Sequence, residues 1–280
     1  MPSSSPGPAE RPKAGLGQPV IVENKPGAGT NIAVRALIDS APDGHTLMLA
    51  ANALAANVSL YQPALYDLAR DITPVSLVGR VPVVLAVSAG SPHTAIARFI
   101  AAAKAAPSSI TYASPGNGST PHLAVALFER AAGLSLIHVP YKGGPQASTD
   151  VIGGHVQALA LNALEAQPQV RSGKLRVLAV MTPARSGIFP DVPTLAESGV
   201  AGFEAAVWYG LIAPAGLAQP VLARLHAETQ RALATEELKT RLSSAGGEVL
   251  PATTEQWAAM LSDEKTRYEK LIREARIQPD

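Results

Sequence analysis

An α/β fold, with helices laid over parallel sheets, is what this sequence predicts, and two observations carry the prediction. Two glycine-rich turns, Asn24-Lys25-Pro26-Gly27-Ala28-Gly29-Thr30-Asn31 and Ser114-Pro115-Gly116-Asn117-Gly118-Ser119-Thr120, each sit between a short β-branched run and an apolar-periodic segment. That strand, loop, helix order recurs along the chain, and alternation of this kind folds as strands joined by crossover helices. Composition agrees: 47% hydrophobic, 16% charged and 4% aromatic residues describe a soluble globular chain with a core to bury.

Taken in order, Val20 to Glu23 and Thr46 to Ala50 read as buried strands flanking a helix from about Asn31 to Ser40, with Pro42-Asp43-Gly44 as the turn between. Together they form one βαβ unit. Further strands follow at Val83 to Val87, Ile110 to Ala113, Ile137 to Val139, Ala158 to Leu161 and Val177 to Val180, interleaved with helices near Ile96 to Ala106 and His122 to Ala132. The pattern then changes to two long amphipathic helices. The first carries Val221, Leu225, Leu233, Leu238 and Leu242 and is stopped by Gly246-Gly247. The second carries Trp257, Leu261, Tyr268 and Ile272 and starts at a capping box of Thr253 and Gln256. The spacing of both stripes is that of core faces.

The two turns have a chemical meaning. A loop feeding a helix leaves several backbone N–H groups unpaired at the helix N-terminus, where the helix dipole also favours negative charge, so each is an anion cradle. Two cradles in one chain suggest one ligand gripped twice. Neither is a nucleotide loop: the third glycine position of a dinucleotide fingerprint is taken by Ile32 and by Pro121. Gly173-Lys174 is followed by Leu175, where a Walker loop needs Ser or Thr for magnesium. No cofactor is therefore expected.

Other functions are excluded by what the chain lacks. A formal net charge of +1 without clustered Lys and Arg argues against nucleic acid. With no cysteine there are no thiol nucleophiles, thiolate metal sites or disulfides. No Gly-x-Ser-x-Gly elbow is present, and the six histidines show no i, i+4 metal spacing, so neither a catalytic residue nor a metal site is expected. No run reaches the roughly 18 apolar residues of a membrane span. Residues Pro2 to Pro12 are polar and rich in Ser and Pro, unlike an export signal.

Five blocks carry a resemblance to a known family: VIVENKPGAG (Val20 to Gly29), APDGHTL (Ala41 to Leu47), YASPGNGS (Tyr112 to Ser119), HVPYKGG (His138 to Gly144) and PDVPTLAE (Pro190 to Glu197). In this order they closely resemble the Bug-type, TctC-like solute receptors of tripartite tricarboxylate transporters, from about Gly17 to the C-terminus. The resemblance implies a two-lobed clamshell of the periplasmic-binding type II class, crossed twice by the chain near Arg80 to Val87 and Val207 to Ile212. Lobe one would be residues 1–79 plus 212–280, and lobe two 80–211, with the ligand between them at the C-terminal ends of strands.

It also implies binding rather than conversion: capture of a small carboxylate, aromatic acid or amide, delivered as a monomer to membrane permease subunits. A ligand-presenting sensor is the alternative use of the same clamshell. The matching positions place Gly27, Ala28, Gly29, Thr30 and Asn31 in one cradle and Ser114, Gly118, Ser119, Thr120 and His122 in the other, with Asn52, Ala53 and Asn162 as further cleft residues. Ser119 and Thr120 add hydroxyl donors, and Pro121 suits the first helical turn because it lacks an N–H that would otherwise be orphaned. Neither loop contains an Arg, so recognition would use uncharged donors. His122 would donate to a carboxylate or else cap its helix; Lys142, Arg176, Arg185 and Asp191 read as solvated or lobe-stabilising charges.

At the N-terminus the family pattern has an export signal, a first strand and a Pro-Gly-Gly loop with a following Asp, where this chain has Met1 to Leu16. The resemblance therefore places the receptor in the periplasm, while the sequence as written predicts a cytoplasmic chain with an incomplete first lobe and weakened or absent binding. Strands flanking the missing one would expose unpaired backbone groups.

Overall fold

The computed structural model describes residues 16–25, 27–244 and 246–279. After one 3-10 turn at Ala28–Thr30, helix α1 (Asn31–Ile38) leads to β1 (Met48–Ala51), α2 (Ala53–Leu60), α3 (Leu68–Asp71) and the long β2 (Ile72–Ser88). Then come α4 (Ile96–Ala105), β3 (Thr111–Ser114), α5 (Thr120–Ala132), β4 (Ile137–Pro140), α6 (Gly144–Ile152), β5 (Ala158–Asn162), α7 (Ala163–Arg171) and β6 (Leu175–Val180). The chain finishes with β7 (Ala206–Pro214), α8 (Gln219–Leu233), α9 (Glu236–Ser244), β8 (Glu248–Val249) and α10 (Thr254–Ala275).

Strand β2 organises the molecule. From Ile72 to Pro82 it pairs antiparallel with β7, which in turn pairs with β1; from Val83 onward it pairs with β5 on one side and β6 on the other. It thus passes from one group of strands to a second, in which β5, β3 and β4 run parallel. The chain returns where the Ala205 N–H bonds the Met181 carbonyl at 2.7 Å and β7 begins. The result is a two-lobed α/β fold with two crossovers. Its sheets are mixed rather than wholly parallel, because β2 and β7 run antiparallel to each other and to every strand they pair with.

Prolines and caps set the helix starts. Pro121, Pro145 and Pro220 occupy the first turns of α5, α6 and α8, where a missing N–H costs nothing. The predicted capping box is present: Thr253 Oγ1 accepts from Gln256 N at 3.2 Å while Gln256 Oε1 accepts from Thr253 N at 2.9 Å. Helix α10 then buries Trp257, Leu261, Tyr268, Leu271 and Ile272 against Val34, Leu37, Leu54 and Ile212, forming the core of one lobe. In the other lobe α4 and α5 bury Phe99, Val125 and Phe128 on one face of the sheet, and α6 and α7 bury Val151 and Ala166 on the opposite face.

Three expectations are corrected. Residues 20–23 form no strand; Val20, Ile21 and Val22 are 64%, 80% and 77% exposed, and β1 is hydrogen-bonded only to β7 among the described residues. A β-branched run becomes a strand only when a neighbour completes its ladder, and among the described residues none lies beside it. The βαβ unit is accordingly absent, and the second strand is Met48–Ala51 rather than Thr46 to Ala50. The first C-terminal helix is two: Thr235 ends α8, its N–H bonding Ala232 O at 3.1 Å, and its Oγ1 accepts from Leu238 N at 3.4 Å to start α9. Leu238 and Leu242 are consequently only partly buried.

Candidate functional site

The first glycine loop lies at the start of α1. Four consecutive residues, Gly27, Ala28, Gly29 and Thr30, have positive φ (122°, 45°, 58° and 79°), an uncommon run that includes two non-glycine residues held in left-handed backbone. Thr30 gives α1 no side-chain cap, although the Asn31 N–H itself bonds the Ala28 carbonyl. Residues 27–30 are exposed, but Asn31 is only 5% exposed. Its Oδ1 accepts from Asn57 Nδ2 at 3.1 Å; its Nδ2 is buried with no hydrogen-bond partner among the described residues. An unpaired buried amide is costly, and a partner from outside the chain, such as a ligand or a water, would relieve that cost.

Helix α2 links this loop to the second one. Asn57 Nδ2 also bonds the Gly29 carbonyl at 2.6 Å, and Leu60, one turn further on, packs against Gly118 so closely that a side chain at Gly118 would collide with it. Gly118 also needs its glycine for a φ of 69°. The two loops are thus carried by opposite ends of one helical turn, Asn57 to Leu60.

The second loop follows β3. Ser114 is fully buried, and its hydroxyl is engaged inside the loop: it lies 2.7 Å from His138 Nε2 and accepts from Gly116 N at 3.2 Å. Ser119 caps α5 by accepting from His122 N at 3.4 Å, and Thr120 begins the helix nearly buried. His122 Nδ1 accepts the Gly118 N–H at 3.0 Å, which leaves the ring proton on Nε2. Burial, with the adjacent His138 as a second cause, pushes the His122 pKa down to about 3, so the ring is a neutral donor.

The remaining predicted residues sit at two other strand ends. Asn52, 1% exposed, is saturated by protein: Nδ2 donates to Ala206 O (3.1 Å), Tyr268 Oη (2.9 Å) and Glu264 Oε2 (3.2 Å), and Oδ1 accepts from Trp208 N (3.0 Å). It ties the start of α2 to β7 and α10, and Ala53 opens that helix. Asn162 ends β5 and caps α7, accepting from Glu165 N at 2.9 Å while its Nδ2 donates to the Glu165 carboxylate.

Because β3, β4 and β5 are parallel, Ser114, Pro140 and Asn162 all end at one sheet edge, which gathers the N-termini of α5, α6 and α7. Sequence reading missed Asn57, Leu60 and Glu165 here. Asn162-x-x-Glu165 has the spacing of a capping pair and was the available signal. Among the described residues no group of three metal-ligating side chains converges, and no helix is long and apolar enough to cross a membrane.

Comparison with known proteins places this arrangement. The family model described as a tripartite tricarboxylate transporter family receptor (TctC) matches residues 9–277. The BugT protein of Bordetella pertussis is 36% identical over 261 residues, covering 92% of this chain and 80% of its own. Among solved structures, R. palustris Rpa4515 with adipate superposes with a TM-score of 0.86 at 31% identity, over 94% of this chain and 89% of that one. The periplasmic binding protein BugD gives 0.84 at 31% identity, over 95% and 89%.

Proposed function

The chain belongs to the tripartite tricarboxylate transporter receptor family, and from that membership we propose that it binds a small organic acid and presents it to the membrane permease subunits of such a transporter. The observation that carries a carboxylate ligand is Asn31: a buried amide donor without a partner, at an uncapped helix N-terminus, beside a loop of left-handed residues. Loop one would supply backbone N–H groups and Asn31 Nδ2, and loop two would add Ser119, Thr120 and the Nε2–H of His122. Uncharged donors of this kind orient an anion without the affinity of an Arg clamp. The adipate-bound relative supports the ligand class.

In this reading lobe one is residues 1–79 with 212–280, lobe two is 80–211, and β2 and β7 bend as the lobes close. Asn52 acts by holding α2 against β7 and α10, and so positions Asn57 under loop one. The protein captures and releases its ligand unchanged, as a monomer and without a cofactor, and works in the periplasm, a location that its likeness to the periplasmic binding protein BugD supports.

Thermal melts against mono- and dicarboxylates, aromatic acids and their amides test the proposal. Ligand at 100 times its Kd adds about 2.7 kcal/mol, an upward shift of several degrees. A cooperative melt that no acid or amide moves would refute it.

A further inference from the structure

We infer, resting on the carboxylate-receptor reading, that Glu165 selects the far end of the ligand: the cleft takes a monocarboxylate whose other end is a hydrogen-bond donor, an amide, ammonium or hydroxyl, and discriminates against dicarboxylates. The sheet edge formed by β3, β4 and β5 presents three helix N-termini, an environment of donors and positive dipole ends. Glu165, in the first turn of α7, puts a carboxylate into it. Oε1 is taken by Asn162 Nδ2. Oε2 lies against Gly144, the first residue of α6, in the space that a Cβ there would occupy. Among the described residues no hydrogen bond reaches Oε2, and Glu165 is exposed.

The same carboxylate acts on the crossover strand β7. Its charge acts on Tyr209, raising the phenol's pKa after the larger effect of burial. Tyr209 lies on β7, paired with Ala51 at the end of β1, next to Asn52 and the start of α2. Glu165 therefore shares the C-terminal strand edge with the second loop and acts on the crossover strand, while Asn31, the unpaired donor, stands at the first loop. One end of the cleft offers donors to an anion and the other offers a free acceptor of negative charge. A second ligand carboxylate at that acceptor meets like charge, whereas an amide or ammonium meets a partner.

Calorimetric titration with matched six-carbon and four-carbon probes tests this: adipate, adipic monoamide and 6-aminohexanoate, then succinate, succinic monoamide and 4-aminobutanoate. The wild-type protein binds the monoamide or amino acid of one length about ten- to a hundredfold more tightly than the diacid, as expected of hydrogen bonding to a charged group. Glu165→Gln, which keeps the side-chain shape, removes most of that preference while its melt stays cooperative. Equal or tighter binding of the diacid by the wild type, or an unchanged preference in Glu165→Gln, overturns the inference and leaves the carboxylate reading intact. Binding of none of the six by a cooperatively folded protein also overturns the inference, and the carboxylate reading then falls only if the full panel of acids and amides leaves the melt unmoved.

Discussion

His122 and His138 stack nearly face to face, ring centroids 3.9 Å apart and planes 7° from parallel, while His122 Nδ1 accepts the Gly118 N–H at 3.0 Å. A proton on Nδ1 would break that bond and place a cation against the other ring, so the geometry of the second loop requires a neutral His122. Its folded pKa, pushed down to about 3, lies below the unfolded value near 6.5. The unfolded chain therefore binds the proton first: the contribution of His122 is intact above about pH 6.5 and is lost progressively as pH falls toward 3. Denaturant unfolding at pH 7 and pH 4 should show a loss of about 3 kcal/mol attributable to this ring. In His122→Gln that part of the pH dependence disappears.

Asn52→Leu keeps the branching of the side chain and removes all four hydrogen bonds that join α2 to Ala206, Trp208, Glu264 and Tyr268. Buried partners left unpaired cost about 1 to 3 kcal/mol each before relaxation, so a loss of about 2 to 4 kcal/mol is expected. A lower urea midpoint with unchanged m-value would register it.

Gly210 on β7 lies under the ring of the fully buried Trp257, and a Cβ there would overlap the indole. Trp257 also meets Trp208 edge-on at 4.9 Å, so it has no simple direction in which to move. Gly210→Ala should destabilise by about 1 to 3 kcal/mol through overpacking and alter tryptophan fluorescence.

Ile21 provides the contrast. At 80% exposure it buries nothing in this structure, and Ile21→Lys should change stability by less than about 0.5 kcal/mol. A loss of several times that amount in thermal melts would mean that residues 20–23 pack against a neighbour in solution.

What the sequence made legible depends on how local each signal was. The capping box at Thr253, Pro121 at the start of α5 and the two glycine loops rest on residues within one turn of each other, and all appear as read. Val20 to Glu23 failed because strand propensity is satisfied only by a partner elsewhere in the chain. Helix α2 was missed because it is buried almost all round, Leu54, Ala55, Ala56, Asn57, Val58 and Leu60, so no amphipathic period remains to detect. The length of β2 was hidden by Pro74 and Pro82, the first of which sits at a register shift. Within the candidate site, the loops themselves were readable, but the contacts of Asn57 and the saturation of Asn52 depend on residues 28 and 154 or more positions away in sequence.

Asn31→Asp tests the central claim most directly, by calorimetric titration of the carboxylate or monoamide that binds the wild type most tightly. The substitution exchanges the unpaired Nδ2 donor for an oxygen, keeps the side-chain shape, and adds an acid to the first turn of α1, where the helix dipole tolerates it. The account predicts a melt that stays cooperative but falls, because the new carboxylate is buried, together with affinity reduced at least about tenfold. Undiminished affinity in the folded variant would contradict a ligand carboxylate held at Asn31.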